Sequence, residues 1–389
     1  MGERIGDDTT YYGGEGKLDG PTMSAFKAKE KLFKACVDVD DAVARGGALD
    51  LQRLADAADD RTGLVRKHIE LWGRSIVEFS FNAYPGVHVL CDSVGRRQQV
   101  ELTYHSLRNS LSPPNTTNLH AHWDSSRLSE LDAIWDTDGP LLDPTSTTAD
   151  DASTSVSAHL QLPRSCVLSR VRWATLGYQY NWTDRSYDRD RHVPFSPQLA
   201  TAVSQLASAT SSAFSMCAVE AGIINFYPEG QVMGGHCDDG EEALDSPVVS
   251  VSLGPPCVFL LGGLDKSAEP LPLVLRSGDV LVLGRQSRLR VHGVPRVWVA
   301  GEGCPAALHP STAGAEKVHH CGCALFLAPP SDGLELDCCT CGGVEVGEVA
   351  RALRFLSWAR VNINLRQVFR SETGTGTTNR SETGTGTTN

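Results

Sequence analysis

The sequence predicts a mainly β fold with flanking helices, of the sandwich or jelly-roll kind, on three observations. From about His159 to Arg370 short segments follow one another: PVVSVSLGPPCVFLLGG, PLVLRSGDVLVLG, LRVHGVPRVWVA and ARVNINLRQVF. Each is β-branched, alternating or continuously apolar. Gly or Pro bounds them, and short strands in such succession build sandwiches and jelly rolls. Ahead of them the apolar periodicity is helical. With 389 residues, 41% of them hydrophobic, the chain can bury a substantial core.

Taken in order, residues 1–20 are rich in Gly and Asp and read as a disordered N-terminus. Residues 21–78 read as a helical extension, because Phe26, Leu32, Phe33 and Val37 recur at helical spacing and Leu51, Leu54 and Ala58 resume it after Gly46-Gly47. The main domain spans residues 79–370. It opens with VEFSFNAYPGVHVLCD, strand-like around a Tyr84-Pro85-Gly86 turn, and continues with QQVELTYHSLRNSL, a helix stopped by Pro113-Pro114. Residues 136–158 hold almost no large apolar side chain and read as a flexible insertion. SPQLATAVSQLASATSSAF is an amphipathic helix, and residues 300–350 form a Cys/His-rich insertion. The tail, residues 371–389, belongs to a tandem RSETGTGTTN repeat that cannot build a core.

The formal net charge of −12 excludes a general attraction to nucleic acid, so any such contact must come from local basic surfaces. Residues 351–370 carry five arginines and no acid, and residues 276–296 carry five against Asp279 alone. No apolar run approaches the roughly 20 residues that span a bilayer, and the first residues lack a signal peptide's hydrophobic stretch. The twelve cysteines are expected to be thiols or metal ligands in a reducing compartment. An intracellular monomer without membrane contact is expected, in nucleus or cytoplasm, with the mitochondrion as the alternative.

Near the middle stands G-G-H-C-D-D-G-E-E, Gly234 to Glu242. In an extended chain residues i and i+2 share a face, so His236 and Asp238 can turn toward one ion while Cys237 faces away. Alone the pair is no more than a polar loop; a third donor, His292, stands at the end of another predicted strand. Two His and a carboxylate make the facial triad of non-haem Fe(II) oxygenases, or equally a catalytic zinc site. ARVNINLRQ adds Arg360, Asn362, Asn364 and Arg366 on one face of a strand. Two guanidinium groups beside a metal are costly unless carboxylates pair with them, and 2-oxoglutarate has one at each end.

Six blocks in one order carry a family resemblance: N-F-Y at Asn225 to Tyr227, G-H-C-D at Gly235 to Asp238, V-S-V-S-L-G at Val249 to Gly254, S-G-D-V at Ser277 to Val280, S-R-L-R-V-H-G-V-P-R at Ser287 to Arg296, and A-R-V-N-I-N-L-R at Ala359 to Arg366. Together they resemble the AlkB family of Fe(II)/2-oxoglutarate dioxygenases. RWATLGYQYNWTDRSYDRDRHVPF, Arg172 to Phe195, is most similar to the eukaryotic AlkB homolog 1 branch. The resemblance implies a double-stranded β-helix core binding Fe(II), 2-oxoglutarate and O2. It assigns His236, Asp238 and His292 to iron. Arg360 matches the arginine on the distal carboxylate of 2-oxoglutarate, with Asn225 and Tyr227 as its supporting hydrogen-bond partners. Arg366 matches the second arginine, and Asn362 the asparagine, of the family's R-x-N-x-T-x-R, where Asn364 replaces the usual Thr.

The implied chemistry is hydroxylation coupled to the conversion of 2-oxoglutarate to succinate; on an N-methyl carbon it ends in loss of formaldehyde. N1-methyladenine in tRNA or N6-methyladenine in DNA are the implied substrates, with a histone-directed demethylase or hydroxylase as the competing enzyme. Trp173, Tyr178, Tyr180, Trp182 and Tyr187 occupy the stretch where relatives carry a nucleotide-recognition lid, and aromatics there would stack on an unpaired base; the plain alternative is that they are core residues of a strand. Finally, His319, His320, Cys321, Cys323, Cys338, Cys339 and Cys341 cluster within the last insertion. They could hold a structural zinc, making the chain a zinc-containing nucleic-acid-binding factor with a residual oxygenase core, or be incidental thiols of a loop, since C-x-C and C-C-x-C are not the spacings of common zinc modules.

Overall fold

The computed structural model describes residues 23–55, 63–121, 167–214, 218–228, 230–299, 352 and 355–370. The segments read as terminal disorder, flexible insertion, Cys/His-rich insertion and repeat tail lie wholly or largely outside them. Helices α1 (Ala25–Lys34) and α2 (Val39–Gly46) come first, each capped as its sequence dictates. Ser24 and Asp38 side chains accept from the Lys27 and Asp41 amides, and α2 ends on Gly47 in the left-handed region. Phe26, Phe33, Val39 and Ala42 on their inner faces pack in one cluster with Val258, Leu260, Val274, Val291 and Trp298. A two-residue strand β1 (Leu49–Asp50) and the short helix α3 (Leu51–Ala55) follow.

The helical reading of residues 21–78 holds as far as Ala55 and then fails. Residues 64–81 form a hairpin of β2 (Leu64–Leu71) and β3 (Arg74–Phe81). The chain reverses through Trp72 and Gly73, whose φ values of 53° and 70° are those of the two-residue turn that matches the twist of antiparallel strands. Pairing of β3 with β4 (Val87–Leu90) buries Ile76, Phe79 and Phe81, a tertiary gain that outweighs local helical periodicity.

After α4 (Arg96–Arg108), strands β5 (Trp173–Asn181) and β6 (Ser186–Val193) and helix α5 (Pro197–Thr210), the core strands alternate between two sheets. In one lie β7 (Ala221–Pro228), β9 (Val248–Leu253), β12 (Val280–Leu283) and β14 (Ala359–Arg366). In the other lie β8 (Met233–His236), β10 (Cys257–Leu261), β11 (Leu271–Leu275) and β13 (His292–Val297). The order β12-β9-β14-β7 faces β11-β10-β13-β8, the double-stranded β-helix. The first sheet is extended to nine strands by β2-β3-β4 at one edge and β5-β6 at the other. Strands β7, β9, β10 and β12 are buried throughout, and β10 and β12 read accordingly as continuous apolar runs. Among the described residues no helix is long and apolar enough to cross a membrane.

The S-G-D-V block serves this framework. The Asp279 carboxylate, 1% exposed, accepts from the amides of Arg276 (2.8 Å) and Asp92 (3.0 Å) and from Gln52 Nε2 (2.7 Å). Burial pushes its pKa up to about 6. With the folded-state value above the unfolded one, the folded protein binds this proton more tightly. The group's contribution to stability therefore worsens as pH rises from about 4 to 6. Asp279→Asn is expected to remove that slope: between pH 4 and pH 7 the unfolding free energy of wild type should fall relative to the variant by roughly 3 kcal/mol. A pH-independent difference in chemical denaturation would refute this account.

Candidate active site

Strands β8 and β13 pair antiparallel with His236 opposite His292, and β8 ends there, releasing the chain into the loop that carries Asp238. The imidazole centroids are 4.4 Å apart. His236 Nδ1 lies 3.0 Å from Gly234 O, and His292 Nδ1 lies 3.0 Å from Arg290 O. A carbonyl can only accept, so each Nδ1 carries a proton, which leaves Nε2 as the ring atom that can ligate. Those Nε2 atoms stand 3.8 Å and 3.9 Å from the two Asp238 oxygens, and one donor atom from each residue lies within 4.8 Å of the others. Burial, with His236 adding to it, pushes His292 down to about 4, so its imidazole is neutral and ready to ligate near pH 7. Burial alone would raise Asp238; the Arg366 guanidinium, with Arg288 beside it, outweighs burial and holds the carboxyl well below the usual range.

Two residues that sequence reasoning missed complete this end of the site. Glu241, three residues after Asp238, accepts from Arg366 Nη1 at 2.6 Å and from Arg288 Nη2 at 2.8 Å, with the Tyr187 hydroxyl donating at 3.3 Å. Arg366 Nη2 reaches Asp238 at 3.2 Å, and Arg288 Nη1 donates to the Asp238 carbonyl at 2.6 Å. One buried and one half-buried carboxylate thus balance two buried guanidiniums around the loop. The one signal for Arg288 was its place in the S-R-L-R-V-H block that leads into His292. Glu241 stood in plain view in the G-E-E run, but its partners come from β14 and from the segment before β13, which sequence spacing does not reveal.

At the other end of the cavity β14 presents Arg360, Asn362 and Asn364 beside Asn225 and Tyr227 of β7, with Arg360 opposite Tyr227 and Asn362 opposite Asn225. Arg360 is 1% exposed. It donates to Pro255 O at 3.0 Å and Ser252 Oγ at 2.6 Å, and its Nε has no partner among the described residues. Its nearest supports are therefore Ser252 and a backbone carbonyl, and Asn225 and Tyr227 line the same cavity. No acidic side chain among the described residues pairs with Arg360. A buried guanidinium left so is costly, and a carboxylate entering this cavity would relieve it. Asn362 Nδ2 is held by Ser250 Oγ at 2.8 Å. Two imidazoles, one carboxylate and a buried arginine with no acidic partner among the described residues form a donor set that fits Fe(II) and a dicarboxylate together.

The five lid aromatics divide. Tyr180, Trp182 and Tyr187 line the space in front of His236 and Asp238, and the Tyr180 ring lies over Gly240, where a Cβ would come within 2.8 Å. Trp173 stacks behind Trp182 at 4.8 Å, and Tyr178 packs on Phe369 at 4.7 Å, so these two support the hairpin rather than face the cavity. The basic stretches also read differently in three dimensions. Arg288, Arg360 and Arg366 are buried, and Arg276 is paired with Asp50, so they form no basic face. Arg285 and Arg370 of these stretches stay exposed, and the β5–β6 hairpin adds guanidiniums of its own: Arg185 beside Asp239 at 2.5 Å and Arg189 beside Glu242 at 2.7 Å. The candidate zinc residues His319, His320, Cys321, Cys323, Cys338, Cys339 and Cys341 lie outside the described residues.

Residues 141–366 match the model of the 2OG-Fe(II) oxygenase superfamily, over half of the chain. A mouse protein, nucleic acid dioxygenase ALKBH1, is 34% identical over 256 residues, which cover 66% of this chain and 57% of that protein. DNA N(6)-methyladenine demethylase ALKBH1A of Arabidopsis thaliana is 28% identical, covering 75% of this chain and 77% of its own. The Schizosaccharomyces pombe tRNA demethylase abh1 is 29% identical, covering 70% of this chain and 85% of its own. The superfamily is one of enzymes that use Fe(II), 2-oxoglutarate and O2, and a double-stranded β-helix whose two His, one Asp and buried arginines converge on one cavity is how this sequence meets its terms: the chain belongs to the 2OG-Fe(II) oxygenase superfamily.

Proposed function

We propose that this chain removes N-methyl groups oxidatively from nucleobases in nucleic acid, with N1-methyladenine in tRNA or N6-methyladenine in DNA as substrate. The observation that carries the reading is the aromatic wall of Tyr180, Trp182 and Tyr187 opening onto His236 and Asp238. Stacking of an unpaired base on such a wall is worth about 1 to 3 kcal/mol. The hairpin arginines at its rim are paired in exposed ion pairs, which contribute about 0 to 1 kcal/mol each, so exchanging those partners for phosphates costs little. The relatives named as tRNA and DNA demethylases support the same substrate class. In this reading the chain is a monomer working in the nucleus or cytoplasm.

Within the site, His236, Asp238 and His292 hold the metal, and Arg360 with Asn362 receives the distal carboxylate of 2-oxoglutarate. Arg366, fixed by Glu241, neutralises charge beside the metal. Tyr180 and Trp182 orient the base and exclude water. Bound iron and 2-oxoglutarate supply the oxidant for the methyl carbon.

The test is succinate and formaldehyde release by the purified protein with Fe(II) and 2-oxoglutarate, on N1-methyladenine tRNA, N6-methyladenine DNA and a methylated histone peptide. Turnover on a nucleic acid and none on the peptide is the expected result; turnover on the peptide alone would replace the reading with the protein-directed one. Arg360→Ala is expected to raise the 2-oxoglutarate concentration for half-maximal turnover by about a hundredfold, the effect of truncating one partner of a buried charge pair. An unchanged requirement would remove Arg360 from the site.

A further inference from the structure

Behind the metal triad lies a carboxylate that none of the above uses. Among the described residues strand β8 is the edge of its sheet and pairs with β13 alone, so its outer side has no strand neighbour there. Helix α1 lies across that side. Its buried face carries Phe26, Glu30 and Phe33, and a carboxylate between two phenylalanines is costly there unless something is gained by it. Glu30 is 4% exposed. Its Oε1 accepts the Gly235 amide at 2.9 Å, across 205 residues of sequence, while Oε2 is held by Lys27 Nζ at 2.9 Å.

The Gly235 amide belongs to the same peptide group as the Gly234 carbonyl, and that carbonyl receives His236 Nδ1 at 3.0 Å. The two hydrogen bonds are thus in series through one peptide unit: carboxylate, N–H, C=O, imidazole. A charged acceptor on the N–H polarises the peptide and strengthens its carbonyl as an acceptor. Phe26 fixes the same unit sterically, because a Cβ on Gly235 would come within 2.5 Å of its ring. Carboxylates bonded directly to metal-ligating histidines orient the ring and raise its basicity. Here the arrangement is the same with one peptide group interposed.

We propose that Glu30 is a positioning residue of the metal centre, acting on His236 through the Gly234–Gly235 peptide, so that α1 is part of the site and not an appendage to the fold. This rests on the reading of His236 as a metal ligand. Partners of this kind are worth about 10- to 100-fold in metal affinity. The experiment is Mn(II) titration of the whole protein, followed by the paramagnetic resonance of the free ion, on wild type, Glu30→Ala, Glu30→Gln, Phe33→Leu and His236→Ala. Glu30→Ala is expected to raise the dissociation constant about tenfold, with Glu30→Gln between it and wild type because the amide oxygen still accepts. Phe33→Leu loosens α1 without touching β8, and should lower the melting temperature while binding Mn(II) within about twofold of wild type. Glu30→Ala at wild-type affinity, or Phe33→Leu as weak as Glu30→Ala, would overturn the proposal. Unchanged binding by His236→Ala would instead overturn the ligand reading beneath it.

Discussion

Asp238→Ala is expected to abolish succinate and formaldehyde release while leaving the protein folded. The carboxylate is one of three donors within 4.8 Å, and the two imidazoles that remain make a weak, incomplete set. A metal in such a site stabilises its transition state by several kcal/mol, so its loss costs about a thousandfold in rate or more. The fold survives for a specific reason. Arg366 loses a partner at 3.2 Å but keeps Glu241 at 2.6 Å, and Arg288 bonds the backbone carbonyl of residue 238, which alanine retains. The measurement is turnover beside thermal unfolding. Full activity would sink the metal assignment; collapse of the fold would show that the loop needs its acid more than the metal does.

That distinction shows which parts of the molecule sequence could reveal. His236 and Asp238 were legible because they are two apart where a strand runs out into a loop, and Arg360 to Arg366 because they alternate along one strand. Such periodicities follow directly from extended backbone. The third ligand was legible as a histidine beside another predicted strand, but nothing in spacing brings His292 opposite His236. The helical extension was half legible: α1 and α2 carry their own caps, whereas β2 and β3 take their strand form from pairing onto β4. The roles of Glu30, Glu241 and Arg288 were not legible, although their charges were visible in sequence. Each acts through a partner on a distant element, and a lone charge in sequence does not say whether it is buried or solvated.

The same reasoning makes Glu241 the residue whose loss should harm stability most. It is the shared counter-charge of Arg288 and Arg366, and the side chains of all three are at most 3% exposed. Removing one partner of a buried ionic group leaves an uncompensated charge, at a cost of about 3 to 5 kcal/mol. Glu241→Ala is therefore expected to lower the unfolding free energy by about that amount. It should also weaken 2-oxoglutarate use, because Arg366 would turn wholly onto Asp238. The pH dependence has a definite sign. Burial acts to raise the Glu241 pKa, but Arg366 and Arg288 prevail and lower it. Its stabilisation is present above the unfolded value of about 4.3 and is lost as pH falls through the lower folded one. The wild-type advantage over Glu241→Ala should thus hold from neutral pH down to about 5 and shrink in stronger acid. A double variant, Glu241→Leu with Arg288→Met, separates stability from function. An apolar pair of similar volume can match or exceed a buried ion pair in stability. The double variant should accordingly unfold later than Glu241→Ala in a denaturant series, yet remain impaired in turnover because Arg366 is still without its second partner. If it recovers both, Glu241 is a structural counter-ion alone; if it recovers neither, the cluster's value lies in geometry that apolar side chains cannot reproduce.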